Sequence, residues 1–135
     1  MAGSKMKKNF NKTLKPKIKL WLDSDNSQGS FGDGKCRLLE SIEKTKSLKE
    51  TCQNLDISYR KAWGDLKKAE QCLNVTLVTK SRGGNKRGQS TLTEDGKAWL
   101  DAYIKFRKHV ERSSKTAYKK YLQKFEKTQN RRREK

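Results

Sequence analysis

The apolar residues between Cys36 and Leu73 recur three or four positions apart, in three stretches separated by short polar breaks. Such spacing is typical of amphipathic helices, whose buried face repeats every 3.6 residues. Only 31% of the chain is hydrophobic, so the material for a core is limited, and one compact domain with polar extensions is expected. The spacing therefore predicts a mainly α-helical fold.

The boundaries of the first two helices follow from their composition. The first is predicted to begin at Lys35 and to bury Cys36, Leu38, Leu39 and Ile42. The second lies within 45–55, where Ser47 has the position of an N-cap and Glu50 follows at the capping-box spacing. Asp56 is predicted to occupy the next turn, because aspartate tolerates left-handed backbone geometry better than most residues.

The third predicted helix, 58–74, begins at a cap formed by Ser58 and has two unlike faces. Its apolar side consists of Ala62, Leu66, Ala69 and Leu73, flanked by Tyr59 and Trp63. Its other side carries Arg60, Lys61, Gly64, Lys67, Lys68 and Gln71. Two helices joined by a short turn, with the second basic on its outer face, form a helix-turn-helix, whose second helix enters the DNA major groove. Gly64 is either simply tolerated or needed for close approach of the backbone to DNA.

A β-hairpin is predicted after this helix, with strands in 75–80 and 90–92, a glycine-rich turn over 81–89 and a basic wing spanning 81–90. The turn carries Arg82, Asn85, Lys86 and Arg87. These residues are placed to reach phosphates or the minor groove beside a groove-bound helix. The alternative is a solvated loop whose charge serves solubility only.

Thr93 is the predicted cap of a long C-terminal helix with acidic residues in its first turn. A seam of apolar side chains follows at helical spacing, formed by Trp99, Tyr103, Phe106 and Val110. Either this seam packs within the chain's own core, or part of it meets the same helix of a second subunit in a homodimer. Residues 113–135 are predicted to be a basic extension, first helical and then frayed.

The N-terminal third is predicted to hold less regular structure. Residues 1–16 are mostly lysine and small polar residues, which predicts a disordered basic arm. Residues 17–22 alternate as a half-buried strand does, and 23–34 form a loop. Alternate Asp and Ser residues in that loop resemble a calcium loop, but Gln28 and Gly34 occupy the positions where glycine and glutamate are needed. A calcium site is therefore not expected.

The formal charge of +19 is concentrated at the two ends of the chain. Residues 1–19 carry seven lysines and no acid, and residues 105–135 carry thirteen basic and three acidic residues. Such proteins bind nucleic acid, anionic membranes or acidic proteins, and nucleic acid is the commonest of these partners. The composition therefore favours a polyanion as the ligand.

Other classes of function find little support in the sequence. The three cysteines are odd in number and widely spaced, which predicts buried thiols rather than disulfides. His109 is the only histidine, so neither a zinc site nor a catalytic base beside a nucleophile is expected. We expect no enzyme, cofactor, metal or small-molecule effector site. Without a long apolar run or a secretory signal, a cytoplasmic, nucleoid-associated protein is expected.

Residues 20–110 resemble the N-terminal DNA-binding domain of the molybdate-responsive ModE-type regulators, a LysR-like winged helix-turn-helix. The resemblance is carried by the segments RLLESI, SLKETC, ISYRKAW, RGGNKRGQ and LTEDG. It implies a dimer held by the helix after the wing, groove contacts from 58–61, and backbone contacts from the basic wing. Full-length members continue into oxyanion-binding domains, whereas this sequence ends in a basic tail, so molybdate binding by the family's means is not expected.

The sequence as a whole predicts a transcriptional regulator that binds double-stranded DNA with sequence selectivity, through a winged helix-turn-helix within 17–112. The predicted DNA-binding residues are Ser47, Ser58, Tyr59, Arg60, Lys61, Gly64, Lys67, Lys68, Arg82, Asn85, Lys86 and Arg87. The alternative is an architectural or nucleoid-type protein that binds mainly through its basic tails, with little sequence preference.

Overall fold

A computed structural model of the chain describes residues 14–25, 30–81 and 88–125. The chain divides into two compact units, Lys19–Arg107 and Met1–Ile18 with Lys108–Lys135. Three predictions fall wholly or mostly outside the described residues: the disordered arm over 1–16, the basic turn of the hairpin and the frayed C-terminus.

The described part of the chain is mainly helical, with a small β-hairpin and a long C-terminal helix, as the sequence predicts, and it contains a second small antiparallel sheet that the sequence did not predict. Its elements are β1 (Trp21–Asp23), β2 (Ser30–Gly32), α1 (Asp33–Thr45), α2 (Leu48–Leu55), α3 (Tyr59–Leu73), β3 (Val78–Lys80), β4 (Ser90–Leu92) and α4 (Glu94–Tyr121). β1 pairs with β2 and β3 with β4, both antiparallel. None of the described helices combines the length and the apolar character that crossing a membrane requires.

The helix boundaries predicted from capping residues are confirmed. Ser47 and Ser58 each accept a hydrogen bond, at 3.0 Å, from the backbone amide three residues further along the chain. A cap of this kind typically stabilises a helix by about 1 kcal/mol. Asp56 has a left-handed backbone with φ of 54°, as predicted for its turn. The helices α2 and α3 are therefore separated by 56–58 alone.

The prediction of an uninterrupted loop over 23–34 is wrong. β2 lies within this segment, with Phe31 opposite Leu22 in the register, and α1 begins at Asp33 rather than Lys35. Phe31 is fully buried, and its ring centroid lies 5.3 Å from that of Trp99 and 4.9 Å from that of Tyr103. A strand of three residues with one apolar side chain is too short to produce a visible alternation.

The hydrophobic core of Lys19–Arg107 lies where the helices turn their apolar faces toward one another. Its largest fully buried apolar side chains are Phe31, Leu38, Leu39, Ile42, Leu66, Leu77 and Tyr103. Full burial of such a side chain is worth about 1.5–3 kcal/mol relative to exposure. The thiols of Cys36 and Cys52 are free and buried, as predicted, and Cys72 is partly buried.

The helix α4 is held at two points within this unit. A Cβ atom added at Gly96 would overlap the carbonyl oxygen of Leu77, so only glycine permits this approach. Further along α4, the Tyr103 hydroxyl donates to Asp33 Oδ1 at 2.9 Å, and Arg107 pairs with Asp33 Oδ2 at 2.9 Å. Burial, followed by the hydrogen bond to Asp33, raises the pKa of Tyr103. The two contacts with Asp33 attach α4 to the start of α1.

Candidate nucleic-acid interface

One side of α3 is buried, and the opposite side is basic and exposed. Ala62, Leu66 and Ala69 anchor the helix in the core, as the sequence predicts. The side chains on the other side are exposed; these are Arg60, Lys61, Lys67 and Lys68. Since the buried face fixes how the helix is rotated, its cationic face points to solvent. Such a face can attract the phosphates of a nucleic acid.

The two serines of the predicted DNA-binding set act as caps. The hydroxyl oxygens of Ser47 and Ser58 accept hydrogen bonds from the amides of Glu50 and Lys61. A hydroxyl that accepts in this way can still donate its own proton. Ser58 is exposed at the start of α3, whereas Ser47 is half-buried at the start of α2. Ser58 is therefore the better placed of the two to donate to a phosphate.

An aromatic pair and a lysine form one flank of the basic face. Tyr59 is 47% exposed, and its ring meets the ring of Trp63 edge-on, with centroids 6.2 Å apart. Lys80, at the end of β3, donates from Nζ to the Tyr59 hydroxyl oxygen at 2.7 Å. The same Nζ lies 5.4 Å from the Tyr59 ring centroid and 5.2 Å from that of Trp63. We call Tyr59, Trp63 and Lys80 the aromatic clamp.

The position of Lys80 beside α3 could not be predicted from the sequence, because its contact with Tyr59 joins residues 21 positions apart. The only local signal was the apolar position of Tyr59 and Trp63 on the helix, which marks a boundary between the core and the basic face. The structure shows that this boundary is also where the hairpin meets α3.

On the opposite flank of the basic face, Lys35 of α1 adds a positive charge to those of the lysines of α3. Lys61 pairs with Asp65 at 3.2 Å. Lys35 of α1 is near this flank, and its Nζ donates to the Ser30 carbonyl oxygen at 2.6 Å. Burial lowers the pKa of Lys35; nearby Asp65 opposes the shift, while Lys68 and Lys61 add to it. Lys35 is thus a second basic residue that the helical pattern of α3 could not reveal.

Gly64 lies in the middle of the basic face and leaves a gap there. A Cβ atom added to it would meet no atom of the described residues within 4 Å. Glycine costs about 1 kcal/mol relative to alanine inside a helix. The packing of the described part of the chain therefore gives no reason for this cost.

Glu70 connects α3 to the hairpin near the other end of the helix. Its Oε2 accepts hydrogen bonds from the backbone amides of Leu77 at 2.7 Å and Val78 at 3.4 Å. Glu70 thus holds the start of the hairpin against the C-terminal half of α3. The two acidic residues of α3 are each engaged, Asp65 with Lys61 and Glu70 with β3.

The predicted dimerisation seam is divided by the structure. Tyr103 is only 2% exposed, and its hydroxyl bonds to Asp33, so it has almost no surface to offer to a second subunit. Trp99 is partly buried and packs against the same core. Phe106 is 44% exposed, and Val110 is partly exposed. Sequence periodicity could not separate the inward part of the seam from the outward part.

The structure brings Ser58, Tyr59, Arg60, Lys61, Gly64, Lys67 and Lys68 together on α3. Ser47 lies apart from them, at the start of α2, and the other predicted residues, Arg82, Asn85, Lys86 and Arg87, lie outside the described residues. Comparison of the chain with models of known protein families finds no match, and comparison with curated proteins finds no significant match.

Proposed function

We propose that the chain is a sequence-selective regulator that binds double-stranded DNA through a winged helix-turn-helix like that of the ModE-type regulators. In this proposal α2 and α3 are the helix-turn-helix, α3 is the recognition helix, and the β3–β4 hairpin is the wing. The observation that carries the proposal is the exposed basic side of α3, which surrounds a glycine that the described packing does not require.

The N-terminal half of α3 would enter the major groove. Arg60 lies one turn before Gly64 and on the same side, so both would face the floor of the groove. An arginine there can bond to guanine O6 and N7 with two donors, which distinguishes guanine from the other bases. Lys67 and Lys68, further along α3, would neutralise phosphates. The predicted wing residues would add phosphate contacts beside the same groove.

We further propose that the protein acts as a homodimer through the exposed part of α4. Phe106 is the large apolar side chain of the predicted seam that remains substantially exposed. A two-fold dimer would present two copies of α3 to half-sites separated by roughly one helical turn of DNA, about 34–36 Å, or a multiple of it. A pseudo-palindromic target sequence is therefore expected.

Selection from a random duplex library, followed by affinity measurement at fixed salt, tests this function. A regulator should bind its selected duplex at least about 10³-fold more tightly than a random duplex. A ratio near one would refute sequence selectivity and favour the architectural alternative, which the charge of the chain's two ends also favours. If six to ten phosphates are neutralised, affinity should fall roughly 10³- to 10⁵-fold between 50 and 200 mM salt.

A further inference from the structure

The aromatic clamp fixes how the Tyr59 hydroxyl can bond. An ammonium group has only donors, whereas a phenolic hydroxyl both accepts and donates. Since Lys80 Nζ donates to the Tyr59 oxygen at 2.7 Å, the hydroxyl proton of Tyr59 points elsewhere, and at this exposed side chain it can be donated to water or to a ligand. Tyr59 is therefore prepared as a donor at the N-terminal end of α3.

Lys80 is held in the clamp by more than one contact. The faces of aromatic rings attract cations, and Lys80 Nζ lies 5.2 Å from the ring centroid of Trp63. Its second contact is with the hydroxyl oxygen of Tyr59, at 2.7 Å, and not with the face of that ring. Because the Trp63 ring and the Tyr59 hydroxyl oxygen contact the same ammonium group, the three side chains orient one another. A lysine that served only to attract phosphate would not need this arrangement.

We propose that Lys80 is a positioning residue, which holds Tyr59 as a specific hydrogen-bond donor to an acceptor on DNA. The acceptor is either a phosphate oxygen or a base-edge atom such as purine N7, which share the ability to accept one hydrogen bond. This inference rests on the proposed function, because it needs the N-terminal half of α3 to lie in a DNA groove. It also makes the hairpin part of the recognition site, since Lys80 ends β3.

The ionisation of Tyr59 gives a readout of the clamp in the absence of DNA. The hydrogen bond from Lys80, followed by a hydrogen bond with Trp63, lowers the pKa of Tyr59, and burial opposes this shift. When pH rises through that lowered pKa, Tyr59 loses the proton that it would donate, and the phenolate would repel phosphates. Removing the ammonium group should therefore raise the pKa of Tyr59.

A double-mutant cycle tests the proposal. Tyr59→Phe keeps the ring and removes the hydroxyl, and Lys80→Met keeps an unbranched stem and removes the ammonium group. On the selected duplex, Tyr59→Phe should weaken binding about 3- to 10-fold, the range expected for one hydrogen bond. Lys80→Met should weaken binding about fivefold in the wild-type background but only about twofold in the Tyr59→Phe background. Lys67→Met is the matched control, with equal losses in both backgrounds.

The outcomes separate this inference from the function on which it rests. Equal effects of Lys80→Met in both backgrounds, on a chain that binds its duplex, would overturn the positioning role alone. A wild-type chain that binds no duplex would overturn both. The pKa of Tyr59 is measured from the absorbance of phenolate as pH rises, and the difference between the wild type and Tyr59→Phe assigns the signal of Tyr59. An unchanged pKa of Tyr59 in Lys80→Met would refute the clamp. If the losses of affinity from Tyr59→Phe and Lys80→Met are coupled on the selected duplex but not on random duplexes, the acceptor is a base-edge atom. If they are coupled on all duplexes, the acceptor is a phosphate oxygen.

Discussion

Replacing Gly64 by alanine separates the stability of α3 from its contact with DNA. The added methyl group meets no atom of the described residues within 4 Å, so only the difference in helix propensity changes in the free protein. That difference is about 0.8–1 kcal/mol in favour of alanine. For a unit the size of Lys19–Arg107, the expected rise in melting temperature is about 4–8 °C.

The same substitution should have the opposite effect on DNA binding. If the backbone at Gly64 lies against the duplex, a methyl group there is inserted into a closely packed interface, which typically costs 1–3 kcal/mol. The affinity for the selected duplex should then fall by roughly 5- to 150-fold. A variant that is more stable and yet binds less tightly would be hard to explain by any structural defect.

Thermal unfolding followed by circular dichroism and duplex titration by fluorescence anisotropy measure these two quantities. Two other helical glycines provide controls. Gly34→Ala also adds a methyl group in open space, so it should leave binding unchanged, whereas Gly96→Ala should destabilise the fold through overlap with Leu77. A lower melting temperature for Gly64→Ala would show that the space around Gly64 is not open in the free protein. Unchanged affinity would refute close approach to DNA at this position.

Three further predictions concern single side chains. Arg60→Ala should cost about 1–3 kcal/mol of binding free energy on the selected duplex and relax the base preference there. Arg37→Ala, at an exposed position on α1, is the control and should do neither. Equal losses of affinity for selected and random duplexes would contradict a base contact for Arg60. Glu70→Gln should lower the free energy of unfolding by about 1 kcal/mol, because charge-assisted hydrogen bonds become neutral ones, and chemical denaturation measures this loss. If the proposed homodimer forms, Phe106→Glu should convert it to a monomer in sedimentation experiments, and a monomeric wild type would remove the proposed interface.

The helical part of the fold could be predicted because its signals are local. The caps at Ser47 and Ser58, the left-handed turn at Asp56 and the apolar face of α3 each depend on residues within one or two turns of helix. Interactions between residues this close in the chain can be predicted from residue type and spacing. The predicted start of α1 was wrong by two residues, since Asp33 and Gly34 carry no apolar side chain to mark the first turn.

The features that could not be predicted all depend on distant contacts. Phe31 of β2 packs against Trp99 and Tyr103 of α4. Because these partners lie far along the chain, the residues around Phe31 give no sign of them. The same packing takes Tyr103 out of the predicted dimer seam. A helical period shows which residues share a face, but it does not show whether that face meets the chain's own core or another subunit.

The link between α3 and the hairpin bears on how selectively this protein can bind. Glu70 bonds to the amides that begin β3, and Tyr59 bonds to Lys80 at its end. The helix and the base of the hairpin are thus joined near both ends of α3 before any DNA is present. A binding surface that is already ordered loses less conformational entropy on association. In the proposed complex, contacts from the hairpin should therefore depend on how α3 lies in the groove. A mismatched base pair under α3 should then also weaken the contacts made by the hairpin.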